Sequence, residues 1–384
     1  IEKGDRSALM MENRPESIFS FFSIWARKGI AISLDAGYTV DQLAYVLGDS
    51  EPKYLFVSNK TKEVAEAANS KLNNAIKIIN VDELQMPADY KIKQEEFSND
   101  SNEDVAVLVY TSGTTGNPKG VMITYENIET NMAGVRAVDL VNETDVILAM
   151  LPYHHIMPLC FTLILPMYLG VPIVLLTEIS SASLLKTLQE NRVTVIVGVP
   201  RVWEMLDKAI MTKINQSSVS KFIFKWASKT NSMSIRKMLF SKVHKQFGGH
   251  IRLMVSGGAK IDKNILEDFR TMGFRAIQGY GMTETAPIIA FNVPGRERSD
   301  SVGEVIPNVE VKIADDGEVL VKGKNVMKGY YKNEAATKEA FDAEGWFHTG
   351  DLGKMDGKYL IIIGRKKEMI VLPNGKNIDP NDIE

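Results

Sequence analysis

Short apolar runs rich in β-branched residues recur along the chain, at Tyr54–Ser58, Val105–Tyr110, Asp145–Leu151, Val193–Val199 and Ile251–Ser256. A strand covered by helices on both sides has no solvent face, so it reads as a continuous apolar run rather than an alternating one. Helical patterns separate these runs, and that alternation implies βαβ units building parallel sheets. Ile18, Phe21, Phe22 and Trp25 form one helical stripe. Pro15 stands near its start and Gly29 just past its end, where helix termini favour those residues. After Pro294 the texture changes: Val309–Ala314, an Asp315-Asp316-Gly317 turn, Glu318–Lys322 and Tyr359–Ile363 predict short strands joined by tight turns. The expected fold class is α/β. Two doubly wound, mostly parallel-sheet subdomains fill 1–295, and a small β-barrel-like subdomain fills 296–364.

Length and composition agree with this. The chain has 384 residues, too many for one ordinary core, and its 45% apolar and 24% charged residues exclude disordered and collagen-like classes. The net charge of −3 gives no reason to expect nucleic acid as a partner. Cys160, the lone cysteine, allows neither an internal disulfide nor a CxxC metal site and fits a reducing cytosol. Of the histidines, only the adjacent His154 and His155 lie close in sequence. The uncharged stretch Ile156–Thr177 is long enough to span a bilayer. Pro158, Pro166, Gly170 and Pro172 interrupt it, so a buried helix, a turn and a core strand are expected instead. No basic-then-apolar leader opens the sequence. Ile1 sits directly before a turn and a strand, and Asp379-Pro380 starts a helix near the other end, so more protein is expected on both sides.

The strand Val105–Tyr110 runs into Thr111-Ser-Gly-Thr-Thr-Gly-Asn-Pro-Lys-Gly120. Glycines let backbone N–H groups approach an anion, hydroxyls donate to its oxygens, and Lys119 brings a positive charge. GxxxxGK[ST] fails here, since Pro118 precedes the lysine and Gly120 follows it, so this is a phosphate loop of another kind. Tyr110–Gly120 resembles the signature of the adenylate-forming enzymes, which include acyl-CoA synthetases, peptide-synthetase adenylation domains and luciferases. Leu151-Pro-Tyr-His-His155, Gly279-Tyr-Gly-Met-Thr-Glu-Thr285, Gly345-Trp-Phe-His-Thr-Gly-Asp351 and Gly364-Arg-Lys-Lys-Glu368 follow in the family's order. The resemblance covers essentially the whole chain and implies the large N-terminal domain of such an enzyme.

In that family a carboxylate attacks the α-phosphate of ATP, giving acyl-AMP and pyrophosphate, and a thiol then displaces AMP. By resemblance, Thr111, Ser112, Gly113, Thr114, Thr115, Gly116 and Lys119 would hold the β- and γ-phosphates. Thr283 would touch the α-phosphate and Glu284 would coordinate Mg²⁺. Gly258, Ala259, Gly279, Tyr280 and Gly281 would line the adenine, and Asp351 would accept from the ribose hydroxyls. Arg365 would approach ribose or phosphate, and His155 would stand near the carboxylate and α-phosphate. Lys367 matches a hinge, so that 365–384 would be the hinge and the start of a C-terminal domain whose catalytic lysine lies beyond Glu384.

Three features favour a long acyl chain. Val199-Pro-Arg-Val-Trp-Glu204 resembles the segment where long-chain synthetases place a tunnel-gating aromatic, here Trp203; a Trp packed in the core is the other reading. Lys208–Gly249 is longer than in many relatives. It also carries Lys208, Lys213, Lys221, Lys225, Lys229, Arg236, Lys237, Lys242 and Lys245 with no acid, interleaved with Phe222, Phe224, Trp226, Leu239 and Phe240. A basic, aromatic-bearing helix pair can lie on an anionic membrane, and a solvated helical face is the alternative. The expected protein is a cytoplasmic long-chain fatty acid–CoA ligase, with peripheral contact to the inner face of the membrane through 208–249. Its oligomeric state is open, a homodimer included. A short or aromatic acid, an acyl carrier protein as acceptor, or a non-catalytic adenylate-binding or lipid-surface protein are the competing readings.

Overall fold

The computed structural model describes residues 1–85, 101–111, 118–176, 178, 180–367, 370–371 and 377–378. The apolar runs become strands: β1 (Arg6–Met10), β2 (Ile30–Leu34), β3 (Tyr54–Val57), β4 (Lys77–Asn80), β5 (Val105–Thr111) and β6 (Lys119–Thr124). Next come β7 (Ile147–Ala149), β8 (Ile173–Leu175), β9 (Val195–Gly198), β10 (Leu253–Ser256), β11 (Ala276–Gly281) and β12 (Ile288–Phe291). The last part adds β13 (Gly303–Val305), β14 (Val309–Ile313), β15 (Glu318–Gly323), β16 (Gly329–Tyr330), β17 (Phe347–Asp356) and β18 (Tyr359–Arg365).

The first sheet has seven strands in the order β16-β6-β5-β2-β1-β3-β4. Its centre is parallel, from β4 through β3, β1 and β2 to β5, and β6 and β16 add antiparallel at one edge. The second sheet has eleven strands, β14-β15-β17-β18-β13-β12-β11-β10-β9-β7-β8. Its parallel part runs from β8 to β11. Successive side chains of a strand point to opposite faces. Leu9 on β1 accordingly joins the core between the sheets, together with Val107, Val109, Val195 and Val197. Ala8 and Met10 join a second core under the helices Val40–Ser50 and Lys62–Ser70. A third core, with Trp203, Phe269 and Phe274, lies on the far face of the second sheet.

Of the helical stripe, Ile18 and Phe21 are buried on the helix Pro15–Ala26, Phe22 and Trp25 pack half-buried against the same core, and Trp25 Nε1 donates to Ala106 O at 2.9 Å. The uncharged stretch is a helix from Ile156 to Leu169 with a π-helical middle, a left-handed Gly170 (φ 68°), and then β8. Among the described residues no helix is long and apolar enough to cross a membrane.

The strands of 296–364 are joined by hydrogen bonds to the second sheet. They extend the second sheet antiparallel from β11 through β12, β13, β18, β17 and β15 to β14, so residue 295 marks no break in hydrogen bonding. The reason is local: the chain after β11 turns back at Thr283–Ala286 and pairs β12 against β11 before leaving the sheet. β16 pairs instead with β6 of the first sheet.

Candidate active site

Between the sheets opens a cavity of about 1150 Å³. Its rim is polar because strand ends and turns meet there. Thr111 and Lys119 are ladder partners at the ends of β5 and β6, and both line it. Ser112, Gly113, Thr114, Thr115 and Gly116 lie outside the described residues.

β11 brings Gly279, Tyr280 and Gly281 to the wall, and the turn after it brings Thr283 and Glu284. Gly281 is required here, since a Cβ would come within 1.7 Å of Pro287 O. The buried Asn131 pins this turn by donating to Thr285 O at 3.1 Å and accepting from Ile288 N at 2.7 Å. Cys160 is fully buried beside it, 3.6 Å from Ala286 O, and burial pushes its thiol well above the ordinary range. That is a packed sulfur and no nucleophile.

Glu284 accepts from Tyr330 Oη at 2.9 Å and has no ion pair among the described residues. Lys119 Nζ lies 5.1 Å from the centre of the Tyr330 ring. Burial, then the Glu284 charge, raises the Tyr330 phenol above its ordinary value, so it stays a donor. On the other side, Tyr280 Oη donates to Asp351 Oδ2 at 2.7 Å, and Arg365 Nε stands 3.4 Å from Asp351 Oδ1. Asp351 and Arg365 face each other across the β17–β18 ladder. Asp351 itself is only 6% exposed and lies behind the wall, while Arg365, Lys366 and Lys367 line it.

Gly258 lines the cavity with φ +83°, and Ala259 does not, because the chain turns out to solvent there. His155 lines it too, with its ring centre 4.1 Å from that of His154. His154 Nε2 is 3.7 Å from Asp35 Oδ2 on the far side of the loop. Burial first, and the neighbouring His155 second, push His154 from 6.5 down to about 4, and His155 is also held below its ordinary value by desolvation. Both rings are neutral near pH 7. The apolar remainder of the wall, with Leu140, Val141, Phe161, Leu165, Val195 and Val197, reaches into the core between the sheets.

The structure places Trp203 in a core, as the second of its two readings has it. It is 1% exposed, packs edge-on to Phe269 at 6.0 Å and covers Gly198 from the far face of the second sheet. The reason is register: the helix Pro200–Asn215 turns this side chain into the third core, away from the cavity. Sequence reasoning also missed Tyr330, Glu318, His348 and Lys366, all of which line the cavity. The only sequence signal for Tyr330 was the glycine before it; a Cβ on Gly329 would come within 2.8 Å of Thr337.

The described residues contain no cluster of three or more His, Cys, Asp or Glu able to hold a metal ion on their own. A cation here would share its shell with a substrate, as Glu284 with its unpaired charge allows.

Known proteins are similar to this chain in sequence and fold. The long-chain-fatty-acid–CoA ligase FadD15 of Mycobacterium tuberculosis is 30% identical over 100% of this chain and 69% of its own length. Fatty acyl-CoA synthetase A of Dictyostelium discoideum is 29% identical over 100% of the chain and 64% of its length. Long-chain-fatty-acid–CoA ligase 1 of Cavia porcellus is 30% identical over 98% of the chain and 61% of its length. This chain therefore spans 61–69% of the length of these three relatives. Among solved structures, apo MatB from Rhodopseudomonas palustris superposes with a TM-score of 0.80 at 25% identity, covering 100% of this chain and 73% of that one. O-succinylbenzoate CoA synthetase from Bacillus subtilis, in complex with ATP and magnesium, gives 0.78 at 28% identity over 100% and 74%. The family described as "AMP-binding enzyme" matches residues 1–331, and with these relatives it shows that this chain belongs to the AMP-binding enzyme family.

Proposed function

We propose that the chain serves, within a longer ligase, to activate a long-chain fatty acid with ATP to acyl-AMP and then to pass the acyl group to coenzyme A. One observation carries the reading: a single cavity joins a charged rim to an apolar recess. Its volume of about 1150 Å³ exceeds the roughly 300–1,000 Å³ usual for a pocket that holds one small ligand, which suits a nucleotide and an acyl chain together.

The roles follow from position. Lys119, with the loop from Thr111, would hold the outer phosphates, and Thr283 would donate to the α-phosphate. The acyl chain would lie among Phe161, Leu165, Val195 and Val197, with its carboxylate beside neutral His155, which donates without adding a charge. Gly258, Gly279 and Tyr280 would flank the adenine. Ribose hydroxyls would reach Asp351 by taking over the bond it now shares with Tyr280, with Arg365 alongside. Glu284 would hold Mg²⁺, which when bound neutralises phosphate charge. The residues themselves bind and orient; stabilisation of phosphoryl charge by fixed donors is the main catalytic term in such a transfer. Residues 365–384 would hold the hinge, at Lys367, and the start of a further domain.

The same proposal places the protein peripherally on an anionic membrane. On the helix Ser218–Lys229, Val219, Phe222 and Trp226 share one face and are 67%, 71% and 49% exposed. Lys221, Lys225 and Lys229 run beside them, all exposed. Exposed aromatics beside a row of lysines suit an interface with acidic headgroups, where the acid to be activated dissolves.

Pyrophosphate exchange across acids from acetate to palmitate tests the reading. Exchange rising with chain length supports it; exchange confined to short or aromatic acids overturns the substrate class, and none with any acid overturns the activity.

A further inference from the structure

Glu318 opens β15, and only 5% of its surface is exposed although it borders the cavity. A carboxylate is taken that far out of water only where donors replace the water. Here three do, two from β17 and one from just past the end of β18. The Gly350 amide donates to Oε1 at 2.9 Å, while His348 Nδ1 at 3.2 Å and Lys366 Nζ at 2.9 Å meet Oε2. Lys366 also pairs with Asp316, and its own amide donates to Gly350 O at 2.9 Å. Burial pushes the Glu318 carboxyl up, but the bonds from Lys366, His348 and Gly350 outweigh it and hold it below the ordinary range. It remains a charge.

These partners flank the nucleotide end of the site. Gly350 directly precedes Asp351, and Lys366 directly follows Arg365. Asp351 and Arg365 form the end pair of the β17–β18 ladder, and β15 pairs with β17 on its other side, Glu318 opposite Leu352. One carboxylate thus grips both strands a residue away from that pair.

We infer that Glu318 is a positioning residue for the nucleotide: through Gly350 and Lys366 it sets the strand ends from which Asp351 and Arg365 meet ribose and phosphate. The inference rests on the function proposed above. Glu318 acts without touching the reacting atoms, so its loss would loosen ATP binding while leaving the acyl recess, on the other side of β11, as it is. A general loss of fold would affect both substrates.

The test is steady-state pyrophosphate exchange with the full-length protein, measuring KM for ATP and for palmitate separately, beside thermal melting. Glu318→Gln keeps the shape and removes the charge; Lys366→Ala removes its partner at an exposed site that can be lost without opening a core. Both should raise the ATP KM about tenfold, leave the palmitate KM within about twofold, and Lys366→Arg should restore the ATP value. If Glu318→Gln does not fold, Lys366→Ala and its rescue decide alone. Unchanged ATP KM in folded variants overturns the inference while leaving the proposed function standing, and so does an equal rise for both substrates. A wild type without exchange overturns the function, and the inference with it.

Discussion

The Tyr330 phenol donates to Glu284 Oε1 at 2.9 Å, across 46 residues of sequence and from a strand that belongs to the other sheet. This bond fixes one oxygen of a carboxylate that lines the cavity. A bond to a charged acceptor contributes roughly 1.5–3 kcal/mol. Tyr330→Phe should therefore slow adenylation about tenfold or more with the fold intact. Glu284→Gln removes the charge itself and should slow it about a hundredfold, the effect of losing one well-placed electrostatic group. Pyrophosphate exchange over a range of Mg²⁺ concentrations compares the two. Glu284→Gln with an ordinary rate and Mg²⁺ dependence would remove Glu284 from the metal site.

His154 gives a pH dependence of stability with a definite sign. Its folded pKa, about 4, lies below the 6.5 of a free ring, so the unfolded chain binds the proton more readily. Stability is then full above pH 6.5 and falls as the pH drops toward 4, by at most about 1.4 kcal/mol per unit. Thermal melts from pH 7.5 to 4.5 should show this decline, and His154→Gln should flatten it. A variant with the same slope as wild type would assign the decline to other groups.

Trp203→Ala should cost about 3–5 kcal/mol of stability, the usual effect of truncating a buried aromatic. Since the ring faces the third core, relative activity toward octanoate and palmitate should stay the same at temperatures where the variant is folded. A selective loss with palmitate would restore the gate.

Vesicles containing phosphatidylserine should bind the protein, and salt should release it, because screening shortens to about 8 Å at physiological ionic strength. Reversing Lys221, Lys225 and Lys229 to Glu should abolish binding and leave adenylation of a soluble acid unchanged. Binding that survives both high salt and reversal would exclude electrostatic docking.

What could be read in the sequence was what lies in short segments. The strand Val105–Tyr110, the turn with Thr283 and Glu284, and the helix–turn–strand of Ile156–Leu175 all announce themselves by local pattern. What could not be read depends on partners distant in sequence. Tyr330 matters because β16 leaves its neighbours to pair with β6, and Glu318 because Gly350 and Lys366 come to it from other strands. Trp203 was ambiguous for a related reason: its motif places it on a helix start, while which core it enters depends on how that helix rests on the sheet. The antiparallel extension past residue 295 likewise follows from one reversal after β11 that no periodicity marks.

The short β16 has a mechanical consequence. The chain leaves the second sheet after β15, pairs Gly329 and Tyr330 with Met122 and Val121 of the first, and returns to the second as β17. It works as a stitch through both halves of the molecule, at the edge where Tyr330 meets Glu284 and lies beside Lys119. Prising the sheets apart would have to break that stitch. The charged rim of the cavity, where Lys119 and Glu284 lie, is thus tied to both sheets at once.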